Sequence, residues 1–194
     1  RGRSCSSDAM PFISEKFETF HAFASAELSA IYTEPELEQS KVLLFTHLET
    51  SVLLNDGTGR FTLSPLPTLA QMSPGVGVAV EDFDGDGNLD AVIAQNFYDP
   101  QPETGRMSGG LGVFLRGNGD GSVSEVWPQE SGIEIHEDAK SLAIGDLNND
   151  GAPDLVCGIN NGNVVSLVNQ TRAPTARWTT VHLKGLPGNP TAIG

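Results

Sequence analysis

The sequence predicts an all-β fold made of β-propeller blades, each of four antiparallel strands, preceded by one N-terminal amphipathic helix. Short runs rich in valine and leucine alternate with turn residues, which favours strands. An aspartate-rich loop occurs twice, beginning at Asp82 and at Asp146, 64 residues apart. Two hairpin turns begin at Asn55 and Asn118, 63 residues apart. Two landmarks with nearly the same period indicate an internal repeat, and four strands in a repeat of this length are typical of a propeller blade.

The first loop, residues 82–90, is named loop A. Its aspartates occupy positions 1, 3, 5 and 9, and they repel one another unless a cation lies between them. Calcium binds six to eight oxygen ligands, and acidic loops with this spacing supply them. The ligand at position 7 is usually a backbone carbonyl, and Gly87 permits the sharp turn around an ion. The predicted calcium ligands of loop A are Asp82, Asp84, Asp86, Asn88 through its carbonyl, and Asp90.

The second loop, residues 146–154, is named loop B, and it predicts a second calcium site. The predicted ligands are Asp146, Asn148, Asp150, Ala152 through its carbonyl, and Asp154. An EF-hand requires a glutamate at position 12 and flanking helices. Position 12 is Ile93 in loop A and Cys157 in loop B, and β-branched flanks favour strands. The pattern therefore indicates calcium loops that each join two adjacent strands.

Composition limits the possible partners. The formal net charge is −14, which argues against nucleic acids and anionic membranes. No run approaches the 18 or so apolar residues of a membrane-spanning helix, so membrane insertion is not expected. Cys157 lies in an apolar run and is expected to be buried, and a disulfide with Cys5 is left open.

Taken in order, the chain divides into three predicted parts. Residues 1–35 comprise a loose tail and an amphipathic helix over about 13–31, because apolar residues there recur at spacings of three and four. Residues 36–184 hold the blades. An incomplete first blade has predicted strands at 41–46, 52–54 and 60–63. A full blade follows over 76–127, with a polar insertion at 96–110. A further blade over 140–183 ends in a strand at 178–183.

The segment Phe83-Asp84-Gly85-Asp86-Gly87-Asn88-Leu89-Asp90 resembles the FG-GAP (VCBS-type) repeat. This resemblance covers about residues 41–184, and it implies an integrin-α-like propeller with structural calcium sites. Loop B departs from the pattern at Asn148 and Ala152, and neither change removes a ligand type. Residues 181–185, Asn189 and 192–194 are similar to the start of the ASPIC/UnbV module. That module follows FG-GAP repeats in the cartilage acidic protein family, so residues 185–194 are expected to begin it.

The expected function is that of a calcium-binding extracellular or periplasmic module with an adhesion or scaffold role. No catalytic motif is present, which favours a non-enzyme. Two alternatives stay open: a non-catalytic segment of a polysaccharide-directed enzyme, and a calcium-dependent lectin that binds through the insertion at 96–110. About two and two-thirds blades do not close a ring. The expected partners are therefore further blades of a longer chain or copies of this chain, besides an unknown protein or glycan ligand.

Overall fold

The computed structural model describes residues 2–101, 104–171, 181, 184–185 and 187–188. These residues form two compact units. The first unit contains the described residues up to 48 together with 99–101 and 104–106, and the second contains residues 49–98 and those from 107 onward. The predicted domain boundaries at residues 35 and 184 stay predictions.

The first unit is helical, but its helices are short. They are α1 (Arg3–Ala9), α2 (Phe12–Lys16), α3 (Phe20–Ala24), α4 (Leu28–Ile31) and α5 (Glu34–Gln39). The prediction of one helix over 13–31 is therefore wrong, and so is the prediction that residues 1–9 are loose. The apolar spacing continues across the helix ends, but the backbone is extended at Phe17 and Thr19. The Thr19 hydroxyl oxygen then accepts a hydrogen bond from the Ala22 N–H and starts a new helix.

Residues 41–48 have no regular structure, so the predicted strand at 41–46 is wrong. Five apolar side chains in this segment are exposed: Val42, Leu43, Leu44, Phe45 and Leu48. Their composition favours a strand, but a strand also needs a hydrogen-bonded neighbour, and none is present among the described residues. The predicted first blade thus contains two strands instead of three.

The second unit contains three antiparallel sheets, which confirms the predicted all-β class. The strands are β1 (Ser51–Asn55), β2 (Phe61–Pro65), β3 (Gly75–Glu81), β4 (Asp90–Gln95), β5 (Val113–Gly117), β6 (Val123–Val126), β7 (Ala139–Gly145), β8 (Asp154–Ile159) and β9 (Val165–Leu167). The sheet orders are β1-β2, β3-β4-β5-β6 and β7-β8-β9. Short helices α6 (Thr68–Gln71) and α7 (Pro128–Ser131) follow β2 and β6. The predicted strand at 178–183 falls outside the described residues, Val181 excepted.

The second and third sheets repeat each other in register. The first pair of the loop A hairpin is Glu81↔Asp90, and the first pair of the loop B hairpin is Gly145↔Asp154. Each hairpin also has an irregularity near its other end, at residues 75–77 and 139–141. The sequence period therefore corresponds to one four-stranded unit, of which the third sheet shows three strands within the described residues.

Side chains from both sheets meet in one apolar core. Its buried members are Ala79, Phe83, Val92, Phe114, Val126 and Leu155. The Phe83 and Phe114 rings pack edge to face with centroids 6.3 Å apart. Cys157 is buried, as predicted, and it is not part of a disulfide. Among the described helices, none combines the length and the apolar character that crossing a bilayer requires.

Candidate metal centre

Loop A lies at the tip of the β3–β4 hairpin and brings three carboxylates together. One oxygen each of Asp82, Asp84 and Asp86 lies within 4.8 Å of the other two. Within the described part of the chain, this is the one group of three acidic, histidine or cysteine side chains so closely placed. Three of the predicted ligands of loop A therefore converge on one point.

Backbone N–H groups of the loop hold these carboxylates in place. Asp82 Oδ1 accepts hydrogen bonds from the N–H groups of Gly85 at 2.8 Å and Asp86 at 3.1 Å, and its Oδ2 accepts one from Gly87 at 3.0 Å. Asp86 Oδ1 accepts a hydrogen bond from the Asn88 N–H at 2.7 Å. The loop thus wraps around the side chain of its first aspartate, which fixes the directions of the remaining lone pairs.

Two residues of each loop adopt left-handed backbone conformations. In loop A they are Gly85 with φ 75° and Gly87 with φ 93°. The corresponding residues of loop B are Asn149 with φ 60° and Gly151 with φ 88°. Glycine and asparagine are the residues that tolerate this region. The replacement of glycine by Asn149 therefore preserves the turn.

Loop B repeats three of the four hydrogen bonds described for loop A. Asp146 Oδ1 accepts from the Asp150 N–H at 3.1 Å, and its Oδ2 accepts from Gly151 at 2.9 Å. Asp150 Oδ1 accepts from the Ala152 N–H at 2.9 Å. Asn148 occupies position 3, where its Oδ1 accepts from the Asp150 N–H at 2.9 Å. Loop B thus has the same turn with two acidic residues, instead of three, at positions 1 to 5.

The aspartate at position 9 connects each loop to its sheet. Asp90 is 1% exposed, and its oxygens accept hydrogen bonds from the N–H groups of Phe83 at 3.0 Å and Gly117 at 2.9 Å. Asp154 is equally buried and accepts from Leu147 and Asn169, both at 2.7 Å. These two predicted ligands lie outside the group of three carboxylates. Each connects position 2 of its loop to the end of the third strand of its sheet, which is β5 for loop A and β9 for loop B.

Burial raises the pKa of Asp90, and the negative charge of Asp84 acts in the same direction. The N–H groups of Gly117 and Phe83 act against this shift because they stabilise the carboxylate. A cation bound in loop A would add a further favourable charge beside it. Any positive charge that the loop holds therefore stabilises the ionised form of Asp90.

The last two residues of β5, Arg116 and Gly117, shape loop A. The sequence pattern did not single them out. The Arg116 Nε donates a hydrogen bond to Asp84 Oδ2 at 2.7 Å. A Cβ atom at Gly117 would lie 2.1 Å from the carbonyl oxygen of Leu89, so only glycine fits there. Both residues lie more than 25 positions after the loop, and their proximity to it depends on the β4–β5 register.

The chemistry of both loops is that of hard oxygen donors. Carboxylate, carboxamide and carbonyl oxygens suit calcium, magnesium and manganese, whereas thiolate and imidazole ligands suit softer metals. The carboxylates of Asp82, Asp84 and Asp86 could hold a metal ion. The residues present therefore fit a hard cation such as calcium better than a soft metal such as copper(I) or zinc.

Comparison with known proteins gave one match. The family described as FG-GAP-like repeat matches residues 42–93 and 105–157. No curated protein and no solved structure was found to match the chain. Each matched segment ends three residues after one of the two aspartate loops, and together the segments cover just over half of the 194 residues. The similarity to the ASPIC/UnbV module lies outside both segments and stays a prediction. The chain belongs to the family of FG-GAP-like repeat proteins.

Proposed function

We propose that this chain is a calcium-binding β-propeller module of an extracellular or periplasmic protein, with a structural or adhesive role. Each of the two loops holds one calcium ion. The ligands are the side chains at positions 1, 3, 5 and 9 and the backbone carbonyl at position 7. The observation that carries the proposal is the convergence of the Asp82, Asp84 and Asp86 oxygens within 4.8 Å.

The hydrogen bonds of loop A support this function. Backbone N–H groups already hold the carboxylates of Asp82 and Asp86, so little conformational entropy is lost when an ion binds. Without a cation, three carboxylates at this separation repel one another. Calcium supplies the positive charge that removes this repulsion. The same turn recurs in loop B, which supports a second site.

Ordering of each loop would stabilise more than the loop itself. Asp90 connects loop A to Gly117 at the end of β5, and Asp154 connects loop B to Asn169. The Asn169 Nδ2 in turn donates a hydrogen bond to the carbonyl oxygen of Phe83 in loop A, at 2.8 Å. Rigid loops would therefore strengthen both sheets, as expected of a scaffold or adhesion module.

The family and the supply of calcium support the proposed location. FG-GAP repeats are typical of extracellular proteins. Calcium sites of extracellular modules have dissociation constants of about 10⁻⁴–10⁻³ M, which need a calcium-rich compartment. We propose that the partners are further blades, from a longer chain or from a second copy, and a protein or glycan ligand.

A thermal melt with excess calcium and with a chelator tests the proposal. A hundredfold excess over the dissociation constant stabilises the fold by about 2.7 kcal/mol per site, so we expect calcium to raise Tm by several degrees. Asp86→Ala should weaken calcium binding at loop A at least about tenfold, because it removes one charged ligand. The control is Glu134→Ala, which changes an exposed acid outside both loops. Equal melting temperatures with calcium and chelator would refute the proposal.

A further inference from the structure

Arg116 places a positive charge beside loop A. Its Nε lies 2.7 Å from Asp84 Oδ2, and the Asp84 side chain is only 21% exposed. The guanidinium is 3.9 Å from Glu130 at its other side. One oxygen of Asp84 is thus directed towards a protein cation. The other oxygen, Oδ1, accepts a hydrogen bond from the Asp86 N–H inside the loop at 3.2 Å.

Among the residues that the structure describes, loop B has no equivalent cation at this position. The strand registers align Leu115, which pairs with Ala91, and Leu167, which pairs with Leu155. The next residue is Arg116 in one sheet and Val168 in the other. At position 3, loop A has Asp84 and loop B has Asn148. The additional carboxylate and the additional guanidinium therefore occur together.

The formal charges of the two sites are equal as a result. Loop A carries four negative charges from its aspartates and one positive charge from Arg116, whereas loop B carries three negative charges. Without the guanidinium, loop A would have one more negative charge than loop B. Ligand charge is one of the properties that set calcium affinity in such loops.

We propose that Arg116 is a positioning residue that lowers the calcium affinity of loop A towards that of loop B, by neutralising Asp84 and directing one of its oxygens away from the ion. This inference rests on the proposed calcium-binding function. In the calcium-free protein, the guanidinium relieves repulsion among the loop carboxylates. In the calcium-bound protein, the same guanidinium repels the ion and competes with it for Asp84. Arg116 therefore stabilises the empty loop more than the filled one.

Calcium titration calorimetry measures the effect at loop A. The Asp150→Ala background removes a ligand from loop B, so that the heat reports loop A. We expect Arg116→Gln to tighten calcium binding about fivefold at low salt, an order-of-magnitude figure for one partly exposed charge. The difference should shrink as salt screens the charge. Arg116→Gln should also melt at a lower temperature than the Arg116 protein in chelator, because the repulsion is then unrelieved.

Two further variants separate charge from fold damage. Arg116→Lys keeps the positive charge and should leave the affinity within about twofold. The double variant Asp84→Asn/Arg116→Gln reproduces the charge of loop B and should return to within about threefold of the unsubstituted affinity. If the unsubstituted protein binds calcium and Arg116→Gln binds it equally or more weakly, the proposed role of Arg116 is wrong. The proposed calcium-binding function would then still stand. Absence of calcium binding in the unsubstituted chain would overturn the proposed function and this inference together.

Discussion

At the scale of single residues, Asp90 links loop A to the sheet. Its buried carboxylate accepts hydrogen bonds from the backbone N–H groups of Phe83 and Gly117. In Asp90→Asn one of these N–H groups faces an amide nitrogen, which donates instead of accepting. Losing a hydrogen bond to a charged acceptor costs about 1.5–3 kcal/mol, and removing a charge whose pKa is raised by burial offsets part of that. We expect a net loss of about 1–2 kcal/mol.

Urea unfolding of Asp90→Asn in calcium-free buffer measures this loss without a contribution from the ion. The matched control is Glu130→Gln, which changes an acid with a 67% exposed side chain and should alter stability by less than about 0.5 kcal/mol. If Asp90→Asn is as stable as the unsubstituted protein, its carboxylate does not anchor the loop.

The sequence identifies loop residues well because their relation is local. Aspartates two positions apart in one turn must lie close together whatever the rest of the fold does, and Asp82, Asp84 and Asp86 do so. Asp90 was predicted as a ligand, and the structure adds its role as an acceptor for the backbone of β5's last residue. Arg116 and Gly117 could not be predicted, because a strand register between distant residues brings them to the loop.

At the scale of elements, Gly117 fixes how closely β5 approaches loop A. In Gly117→Ala the new Cβ would lie 2.1 Å from the Leu89 carbonyl oxygen, and a backbone atom cannot move away without shifting the loop. We expect a loss of about 2–3 kcal/mol, typical of overpacking, together with weaker calcium binding at loop A. The control is Gly145→Ala at the end of β7, where a Cβ meets nothing within 4 Å.

Chemical denaturation and calcium titration of both glycine variants check this prediction. A Gly117→Ala protein with unchanged stability and affinity would show that loop A and β5 can separate without cost. A loss in Gly145→Ala as large as that in Gly117→Ala would instead assign the effect to the strand end in general.

Elements were predictable where pattern and pairing agree. The strands on either side of the turn at Asn55 lie within about two residues of their predicted positions, 52–54 and 60–63, because turn chemistry fixes hairpin register locally. The helix over 13–31 was predicted wrongly, because the spacing of apolar residues does not reveal a capping residue such as Thr19, which starts a new helix. The prediction of a strand at 41–46 failed because a high β-propensity does not supply a neighbouring strand to pair with.

At the scale of the whole second unit, a buried polar group joins the two repeated sheets. Asp138 is 3% exposed and forms an ion pair with Lys140. Its carboxylate also accepts hydrogen bonds from the Tyr98 N–H at 3.3 Å, just after β4, and from Asn160 Nδ2 at 2.9 Å, just after β8. The Lys140 ammonium donates to the Asn96 carbonyl at 3.0 Å. The ends of β4 and β8 are therefore connected through one carboxylate.

This carboxylate should make the stability of the protein depend on pH. Burial alone would raise the pKa of Asp138, but the hydrogen bonds from Lys140 and Asn160 and the charge of Lys140 hold it below the ordinary value. A carboxyl group with a lowered folded-state pKa stabilises the fold fully above its unfolded pKa of about 3.9, and this contribution disappears as the pH falls through the folded value. Protonation thus weakens the connection between the two sheets that the Asp138 carboxylate provides.

Urea unfolding from pH 7 to pH 3 in calcium-free buffer tests this linkage. We expect Asp138→Asn to cost about 2 kcal/mol at neutral pH, less than for a fully buried pair because Lys140 is partly exposed. The difference between the two proteins should stay constant down to about pH 5 and shrink below about pH 4. The control Glu137→Gln changes the exposed neighbouring acid and should show a small, pH-independent difference. A difference for Asp138→Asn that persists undiminished at pH 3 would contradict the assignment, because protonation would then not remove the contribution of the pair.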